Sequence, residues 1–287
     1  MKLIMMRGLQ ASGKSTKAEE IIKGGGEFFR VNRDLLREML HCDVFTGKRE
    51  GVTIHAQQLL VAHLLQEGKN VIVDDTNLGD KHVNMWKMMA EMYDAKFEVM
   101  DMMDDCSVED CIERNRDRDK KVPEQVITNM ALQYHYYGDR KIIVCDIDGT
   151  IADASHRVHH VKGDGKKNWK GFFAEMDKDT PREDVWEQVK ADAVANDAQI
   201  ILVSARPEDY REVTEQWLRD NKMTSHSHLL MRRKGDKRPD TDVKGDIYKR
   251  YLEQYEIVKV FDDRPSVIRM WQEHGLEVED CGNGEEF

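Results

Sequence analysis

The sequence predicts an α/β protein of two domains, each built on a mostly parallel sheet. Short apolar runs rich in β-branched residues alternate with helix-forming segments along the chain, a pattern typical of β-α-β units. Two runs end in residues suited to phosphate chemistry, a glycine-rich loop at residues 8–15 and an Asp-x-Asp sequence at residues 146–148. The length of 287 residues is enough for two hydrophobic cores.

The composition excludes several classes of protein. No stretch approaches the roughly 18 apolar residues of a membrane helix. We expect no signal segment, because the strand that follows Met1, residues 2–6, is too short for the apolar core of a signal peptide. The five cysteines include no C-x-x-C pair, which favours reduced thiols and a cytoplasmic location. The net charge of −11 argues against non-specific coating of nucleic acid. Local basic clusters can still hold a few nucleotides.

The first predicted strand, residues 3–6, leads into a phosphate-binding loop. Residues 8–15 follow the pattern G-x-x-x-x-G-K-S, and a helix is predicted from Thr16. The glycines let backbone N–H groups surround a phosphate, and the helix presents its positive end to it. Lys14 adds a charge near the β- and γ-phosphates, and the Ser15 hydroxyl can ligate Mg²⁺. The loop is therefore predicted to bind a nucleotide.

The second strand, residues 28–31, is followed by residues 32–34 and by a helix that contains Arg37. The ends of parallel strands face the phosphates in nucleotide-binding sheets. Asp34 is therefore a candidate to receive the proton of an attacking hydroxyl group, and Arg33 and Arg37 are candidates to hold a phosphate of the acceptor. The alternative is that Asp34 only caps the helix.

The third strand, which starts at residue 70, ends in acidic groups. It belongs to a predicted series of helix, strand, helix and strand at residues 51–66, 70 onward, 80–92 and 95–102. An apolar strand that ends in aspartate resembles the second acidic motif that positions Mg²⁺ in phosphoryl transfer. Asp75 is preferred to Asp74 for this role, and Asp75 is also placed among the substrate contacts.

A charged segment at residues 114–121 follows a helix predicted at 107–116 with Ser107 as its cap. Alternating charges usually form a solvated face, but cations at this point of a P-loop domain more often close over the triphosphate. Arg114 and Arg118 are the candidates for stabilising the transferred phosphate. A last helix at 124–136 closes the first domain near Gly138.

The strand at residues 142–145 begins the second domain. It ends in Asp146 and Asp148, whose side chains can reach one small site from the end of an extended segment. Gly149 then permits a sharp exit. Asp-x-Asp occurs by chance in a chain with 55 acidic residues, but the full string after an apolar strand is much rarer. We therefore predict a functional pair of carboxylates.

Two later strands end in matching groups. Residues 199–203 are followed by Ser204 and Arg206, and residues 257–261 by Asp262 and Asp263, with Lys244 ahead of the last strand. Helices are predicted at 181–196, at 208–221 and through 253. The three strand ends together supply a nucleophilic carboxylate, a general acid, phosphate clamps and a Mg²⁺ site.

This order of motifs resembles the haloacid-dehalogenase superfamily of aspartate-based phosphotransferases. The resemblance implies that Asp146 becomes an aspartyl-phosphate and that Asp148 is the acid and base. It also implies that Ser204 and Lys244 bind the phosphate, while Asp262 or Asp263 completes the Mg²⁺ site.

The whole chain is similar to the polynucleotide 5′-kinase/3′-phosphatase family of T-even bacteriophages. The resemblance implies a P-loop kinase domain at residues 1–138 and a haloacid-dehalogenase-like phosphatase domain at 139–287, with a Rossmann-like parallel sheet and little cap. It implies transfer of the γ-phosphate of ATP, or of another NTP, to 5′-hydroxyl ends of RNA or DNA. It also implies removal of 3′-phosphate ends, with 2′,3′-cyclic phosphate as a further option. The implied cofactor is Mg²⁺.

The same resemblance assigns roles and partners. It makes Asp34 the base on the 5′-hydroxyl, Arg37 a clamp on the acceptor phosphate and Arg118 the lid cation. The implied nucleotide contacts are Gly8, Gly13, Lys14, Ser15, Thr16, Arg114 and Arg118. The implied substrate contacts are Arg33, Arg37, Asp75, Arg157, Ser204, Arg206, Arg232, Asp240 and Lys244, and the implied metal ligands are Ser15, Asp146, Asp148, Asp262 and Asp263. The implied partners are RNA or DNA ends, a nucleic-acid ligase and further copies of the chain, with no membrane, in the cytoplasm of an infected bacterial host.

Spacing predicts an open second site. Between Thr150 and Ser204 lie 53 residues, and the intervening helix and strand are expected to use most of them. An uncapped site admits the end of a nucleic acid, but also a phosphoprotein. The alternatives are a small-molecule kinase fused to a sugar or nucleotide phosphatase, and a nucleotide-gated scaffold with degenerate sites. Intact Lys14 and Asp146 argue against the scaffold.

Overall fold

A computed structural model describes residues 1–162 and 167–284. The chain divides into two compact units, one at Met1–Tyr136 and one from Tyr137 onward. Both are α/β units whose main sheets are parallel, which confirms the predicted fold class. Within the described residues, no helix is long and apolar enough to span a bilayer.

The first unit is a parallel sheet with helices on both faces. Its strands are β1 (Lys2–Arg7), β2 (Phe28–Val31), β3 (Asn70–Asp74) and β4 (Lys96–Asp101). Its helices are α1 (Lys14–Lys23), α2 (Arg33–His41), α3 (Gly47–Gln66), α4 (Asp80–Met92), α5 (Val108–Arg116) and α6 (Glu124–Gln133). The strand order is β2-β3-β1-β4.

The core of this unit explains why one sheet edge carries the polar groups. The central strands β1 and β3 bury almost all of their residues, as parallel strands covered on both faces do. One face packs on α3 and α4 around Trp86, and the other packs on α1 around Ala18. The carboxyl ends of these strands therefore meet at one edge, where the loop at residues 8–15 and the start of α2 lie.

Local capping sets the helix limits. Ser107 and Asp110 form a capping box at the start of α5, which confirms the predicted cap. The helix α3 begins at Gly47 rather than at residue 51 because Thr46 caps it. The helix α6 ends at Gln133 rather than at 136, just before His135 adopts a positive φ of 60°.

The second unit is also organised by a parallel sheet. Its strands are β5 (Lys141–Cys145), β6 (Ala152–Asp153), β7 (Thr180–Pro181), β8 (Ala198–Pro207), β9 (His226–Arg232), β10 (Glu256–Asp262) and β11 (Val278–Asp280). Its helices are α7 (Trp169–Ala174), α8 (Glu183–Asn196), α9 (Arg211–Asp220), α10 (Asp240–Ile247) and α11 (Pro265–Glu273). The main sheet has the order β11-β10-β5-β8-β9, so β5 is its central strand and β9 is an edge.

A small insertion separates β5 from α8. The strands β6 and β7 pair antiparallel, and the N–H of Arg182 donates to the carbonyl of Ile151 (2.8 Å), which brings the two ends of the segment together. Residues 151–182 all precede α8. The expectation that the helix and strand use most of the 53 residues before Ser204 is therefore wrong. Pro181 belongs to β7, so α8 begins two residues later than predicted.

The sheet also continues beyond the last predicted strand. No element is predicted after residue 261, yet α11 follows β10 and the chain returns as β11. The strand β11 pairs in parallel with the end of β10. This pairing covers the edge of β10, which makes β10 an internal strand.

Candidate active sites

The first site surrounds the loop at residues 8–15, which joins β1 to α1. Lys14 is buried, and its Nζ donates to the carbonyl oxygens of Gly8 (3.0 Å) and Leu9 (2.6 Å) and to Oγ of Ser12 (3.3 Å). Burial lowers the pKa of the Lys14 ammonium group. Among the described residues no carboxylate lies within salt-bridge distance of it. The ammonium group is thus placed to exchange carbonyl oxygens for phosphate oxygens.

Two glycines give this loop its shape. Gly8 has a φ of 144° and Gly13 a φ of 93°, values that other residues rarely adopt. A Cβ atom on Gly8 would lie 2.7 Å from Oγ of Ser12. Ser15 and Thr16 then enter α1 as exposed residues. The start of this helix is therefore open to an anionic ligand.

Asp34 lies in the first turn of α2 with 82% of its side chain exposed, and it accepts a hydrogen bond from Nη1 of Arg37 (2.6 Å). The cap of α2 is Asn32, whose Oδ1 accepts from the N–H of Leu35 (2.9 Å). The alternative that Asp34 is the helix cap is therefore wrong. Arg37 is held at the same time by Glu50, at 2.9 and 3.0 Å.

The two aspartates at the end of β3 have different surroundings. Asp75 accepts from the backbone N–H of Arg33 (2.9 Å) and from Nε2 of Gln57 (2.5 Å), so it positions the start of α2. Asp74 pairs with Arg30 through Oδ2 (2.5 Å), while its buried Oδ1 has no hydrogen-bond partner in the described part of the chain. A carboxylate oxygen without a hydrogen-bond partner is suited to bind a metal ion or a water molecule on that ion. The geometry thus favours Asp74 for the metal-positioning role for which the sequence favours Asp75.

The charged segment at residues 114–121 lies close to the loop at residues 8–15. A Cβ atom on Gly13 would come within 3.8 Å of Nη1 of Arg114. Burial is the main cause of the lowered pKa of Lys14, and the charge of Arg118 lowers it further. Both predicted lid cations are therefore near the place where phosphates would sit.

Contacts at both ends hold this segment over the site. Asn115 exchanges hydrogen bonds with the backbone of Val122, at 2.8 and 3.1 Å. Lys120 pairs with Glu38 (3.1 Å) and Asp43 (3.0 Å), at the end of α2 and just beyond it. The segment therefore links the helix α5, which carries Arg114, to the helix that carries Asp34.

The second site lies where β5 and β10 end. Nζ of Lys244 contacts Oδ1 of Asp146 (2.9 Å) and Oδ2 of Asp262 (2.7 Å), and all three side chains are buried. Carboxylate oxygens of Asp146, Asp262 and Asp263 lie within 4.8 Å of one another. Mg²⁺ prefers such hard oxygen ligands. The donor set therefore fits the predicted metal ion.

The charges in this cluster are not balanced. Burial raises the pKa of Asp146, although the charge of Lys244 opposes the effect. Burial also raises the pKa of Asp263 to about 7, and the charge of Asp262 adds to the shift. Burial lowers the pKa of Lys244, but the two neighbouring carboxylates outweigh it and raise that pKa. Three carboxylates thus face the ammonium group of Lys244 and the charge of Arg264, which itself pairs with Asp240, an arrangement that a divalent cation would stabilise.

Gly149 is required by the close approach of two strand ends. Its φ is 83°, and a Cβ atom there would lie 1.9 Å from Oδ2 of Asp263. Oγ1 of Thr150 also contacts Oδ1 of Asp263 (3.5 Å). Any larger residue at position 149 would therefore displace the carboxylate of Asp263. The sharp exit predicted after Asp148 is confirmed.

Asp148 is bound by arginines and does not join the carboxylate cluster. Arg206 donates to it at 2.7, 3.0 and 3.1 Å, and Arg157 also donates to it. Burial raises the pKa of Asp148, but the guanidinium groups of Arg206 and Arg157 outweigh burial and hold it below the ordinary range. These contacts argue against the predicted metal ligation by this side chain, and the predicted acid and base role stays a prediction.

Asp179 is a site residue without a sequence signal. Arg157 donates to it through Nε (2.6 Å) and Nη2 (2.5 Å), and Arg206 through Nη2 (2.8 Å). Nε2 of His156 lies 3.0 Å from the same carboxylate. Asp179 precedes β7 in a segment with no helix or strand periodicity. Only its contacts reveal that it orients both arginines toward Asp148.

The other predicted residues of this site lie in the last parts of β8 and β9 and at the start of α10. Ser204 is buried, and its Oγ accepts from the backbone N–H of Arg206 (3.2 Å). Arg232 donates to the carbonyl oxygen of Ala205 (2.7 Å) and pairs with Asp240. Arg232 therefore connects the end of β8 to the start of α10. In this arrangement it is a positioning residue.

Asp179→Asn is expected to destabilise the second unit. The change would leave Arg157 and Arg206, both fully buried, with Asp148 as their shared counter-charge. Breaking a buried ion pair costs about 3–5 kcal/mol, which urea unfolding would measure. Asp177→Asn, at an exposed neighbouring position, is the control. A loss below about 1 kcal/mol would show that the contacts of Asp179 do not hold the arginines in place.

Comparison with known proteins adds family evidence. A family model described as "Polynucleotide kinase PNKP phosphatase domain" matches residues 140–286, and one described as "AAA domain" matches residues 3–135. A protein of Autographa californica nuclear polyhedrosis virus, named "Putative bifunctional polynucleotide kinase/RNA ligase", is 30% identical over 301 residues. The match covers 95% of this chain, and the chain spans 41% of the length of that relative.

Chains in several solved structures are similar to this chain. A chain of the Pnkp1/Rnl/Hen1 complex is 24% identical, with a TM-score of 0.44 over 99% of this chain and 97% of that chain. A chain of the Pnkp1/Rnl/Hen1 RNA repair complex is 25% identical, with a TM-score of 0.43 and the same coverage. The Mycobacterium tuberculosis APS kinase CysC is 21% identical, with a TM-score of 0.32 over 40% of this chain and 69% of that chain.

Proposed function

The chain belongs to the family of the polynucleotide kinase PNKP phosphatase domain, and from this membership we propose that it is a bifunctional enzyme that repairs nucleic-acid ends. In this proposal the second unit removes 3′-phosphate ends, with 2′,3′-cyclic phosphate ends as a further substrate. The first unit transfers the γ-phosphate of ATP, or of another NTP, to 5′-hydroxyl ends. The observation that carries the proposal is the cluster of Asp146, Lys244, Asp262 and Asp263 beside the arginine-bound Asp148.

The geometry supports a two-step phosphatase reaction. Asp146 attacks phosphorus and the bond to the 3′-oxygen breaks, while Asp148 gives its proton to that oxygen. Asp148 then takes a proton from water, which attacks the aspartyl-phosphate and releases inorganic phosphate. A Mg²⁺ ion held by Asp146, Asp262 and Asp263 would neutralise the phosphate charge. Lys244, which contacts Asp146 and Asp262, would stabilise the same charge.

The first step needs a protonated Asp148, whereas its contacts with Arg157 and Arg206 favour the ionised form. A substrate phosphate offers both arginines another anion. Once they bind it, less positive charge faces Asp148 and protonation costs less. Substrate binding and the acid role of Asp148 are therefore coupled through the same two arginines.

The first unit supports phosphoryl transfer to a hydroxyl group. Lys14 and Arg118 would stabilise the transferred phosphate, Ser15 would ligate Mg²⁺, and Asp34 would accept the proton of the 5′-hydroxyl. The exposed carboxylate of Asp34 is accessible to a strand end. Arg37, held by Asp34 and Glu50, would contact the acceptor phosphate.

Two oligonucleotide substrates test the proposal. Incubation with γ-labelled ATP, Mg²⁺ and a 5′-hydroxyl oligonucleotide should label the oligonucleotide, and a 3′-phosphate oligonucleotide should release inorganic phosphate. The alternative, a small-molecule kinase fused to a sugar or nucleotide phosphatase, predicts activity on mononucleotides or sugars and none on strand ends. RNA and DNA versions of each substrate would establish the preferred nucleic acid.

Asp34→Asn is expected to lower kinase turnover by about 100-fold or more, a magnitude typical of a lost general base. The helix cap stays intact because Asn32 provides it, and Arg37 keeps Glu50. The affinity for ATP should change little, because Asp34 is not among the predicted nucleotide contacts. Nearly normal turnover would show that Asp34 does not accept the proton.

The proposal also includes cellular partners. The related viral protein is named for a polynucleotide kinase and an RNA ligase activity. We propose that the ends produced by this chain are joined by a nucleic-acid ligase. The homo-oligomeric state and the cytoplasmic location implied by the resemblance remain predictions.

A further inference from the structure

A basic groove lies next to β9, the edge strand of the second unit. It contains a cavity of about 330 Å³ between the loop that follows β9 and residues of α10 and the turn after it. Its lining includes the acidic side chains of Asp236 and Asp246 and five further polar residues, Arg233, Arg238, Lys249, Arg250 and Tyr251. We call this feature the β9 groove. None of these five residues belongs to the two sites described above.

The charge of the β9 groove contrasts with that of the chain. The chain carries a net charge of −11, yet residues 231–251 hold eight lysines and arginines against four aspartates. Arg238 is neutralised by Asp236 and Asp246, each at 2.7 Å. Arg233 and Lys249 are exposed and make no ion pair with any described residue. The groove therefore presents cations that an anionic ligand can use.

The floor of the β9 groove suits a nucleobase as well as a phosphate. It is formed by the buried side chains of Met231, Val243 and Ile247. The half-buried ring of Tyr251 lies at one side, with the guanidinium carbon of Arg250 at 5.2 Å from its centroid. Bases stack on such aromatic and guanidinium groups without regard to sequence, whereas lysines and arginines follow the backbone.

An irregular helical turn presents these residues. The chain continues from α10 as a π-helical turn, Tyr248–Leu252, a rare conformation that is frequent at functional sites. Lys249, Arg250 and Tyr251 all lie in this turn, and all three line the cavity.

The β9 groove and the second site share the elements β9 and α10. Arg232, next to Arg233, pairs with Asp240 at the start of α10, and Lys244 on α10 contacts Asp146. Lys249 lies five positions after Lys244, which corresponds to roughly 8 Å along a helix axis. The inference requires the nucleotides that precede a 3′ end at Asp146 to follow α10 into the groove.

We propose that the β9 groove binds the backbone and bases of the nucleotides that precede the terminal 3′-phosphate of a single-stranded substrate. The inference rests on the proposed phosphatase function and adds the site that would select a polynucleotide over a mononucleotide. Charge complementarity and the tyrosine–arginine pair at its side identify the occupant as a nucleic-acid strand.

Substrate length tests this proposal. The values of kcat/KM would be measured for a nucleoside 3′-monophosphate, for a hexanucleotide with a 3′-phosphate and for p-nitrophenyl phosphate. The double variant Arg233→Glu/Lys249→Glu should lose about 10-fold or more on the hexanucleotide and less than about 2-fold on the other two substrates. Loss of two phosphate contacts should also make the slope of log(kcat/KM) against log[salt] shallower by about 1.4.

A charge-matched control separates local binding from the general field of the protein. Lys141→Glu/Lys190→Glu makes the same change in net charge. Lys141 lies at the amino end of β5, whereas the site lies at the carboxyl ends of the strands. This control should keep the normal preference for the hexanucleotide.

The possible results differ clearly. Equal losses in both double variants, or a wild-type enzyme that hydrolyses the monophosphate as well as the hexanucleotide, would overturn the role of the groove while leaving the phosphatase assignment intact. Hydrolysis of p-nitrophenyl phosphate without hydrolysis of any 3′-phosphate oligonucleotide would overturn the proposed function and the groove together. Unchanged hydrolysis of p-nitrophenyl phosphate shows in each case that the variant is folded.

Discussion

Asp146→Asn is expected to abolish 3′-phosphate removal, with a loss of about 10⁴-fold or more, as for removal of other enzymatic nucleophiles. An amide cannot form the acyl-phosphate that the proposed mechanism requires. The loss should be equal for good and poor leaving groups and at every Mg²⁺ concentration. The kinase activity of the same protein is the internal control and should survive, because Asp146 lies in the other compact unit.

Asp148→Asn should give a different pattern. If Asp148 protonates the leaving 3′-oxygen, its loss should matter less for p-nitrophenyl phosphate, whose leaving group needs no proton. The carboxylate is bound by Arg157 and Arg206 rather than by the carboxylate cluster. Additional Mg²⁺ should therefore restore neither variant.

Kinetics over a range of Mg²⁺ concentrations, with p-nitrophenyl phosphate and a 3′-phosphate oligonucleotide, distinguish the possible roles. If excess Mg²⁺ restored Asp146→Asn, Asp146 would be a metal ligand and not the nucleophile. The second unit would then be a metal-assisted hydrolase without a covalent intermediate.

Lys14→Ala is expected to abolish 5′ phosphorylation, with a loss of about 10³-fold or more, because it removes the ammonium group that the loop itself would present to the β- and γ-phosphates. Its Nζ already lies on the loop, at 3.0 Å from the carbonyl oxygen of Gly8 and 2.6 Å from that of Leu9. Removal of 3′-phosphate should stay within a few-fold. Transfer of labelled phosphate and release of phosphate would be measured on the same preparation.

Lys17→Ala is the matched control for this change. Lys17 lies one turn further along α1, is exposed and pairs with Glu20 (3.4 Å), so its loss should leave both activities near normal. If a folded Lys14→Ala protein lost both activities, the two sites would not be independent. That result would contradict the assignment of one reaction to each compact unit.

Much of each site could be predicted because its residues are neighbours in sequence. The loop at residues 8–15 and the sequence that ends β5 each consist of an apolar strand followed directly by its polar groups. Such a strand is buried on both faces, so its first polar residues must lie at the sheet edge. The positions of Lys14, Asp146 and Asp262 followed from this local pattern alone.

Other features of the sites could not be predicted, because two neighbouring residues were both suited to the same role. Asn32 and Asp34 are both suitable helix caps, and only the backbone geometry shows that Asn32 is the cap. Asp74 and Asp75 are both aspartates at the end of one strand, yet Asp75 is bound by Arg33 and Gln57, while one oxygen of Asp74 has no hydrogen-bond partner among the described residues. The side chains of adjacent residues point in different directions. Segments that are distant in sequence determine what surrounds each side chain.

The sequence alone determined the two α/β units, the loop that receives a nucleotide and the three strand ends that carry carboxylates or a serine. The tertiary structure decided which of these groups meet. Asp148 is paired with Arg157 and Arg206, 9 and 58 residues away, and Asp179 joins them although no motif contains it. Buried charges require partners. Which partners are available depends on the segments that the tertiary fold brings together, and the local periodicity of the sequence does not indicate them.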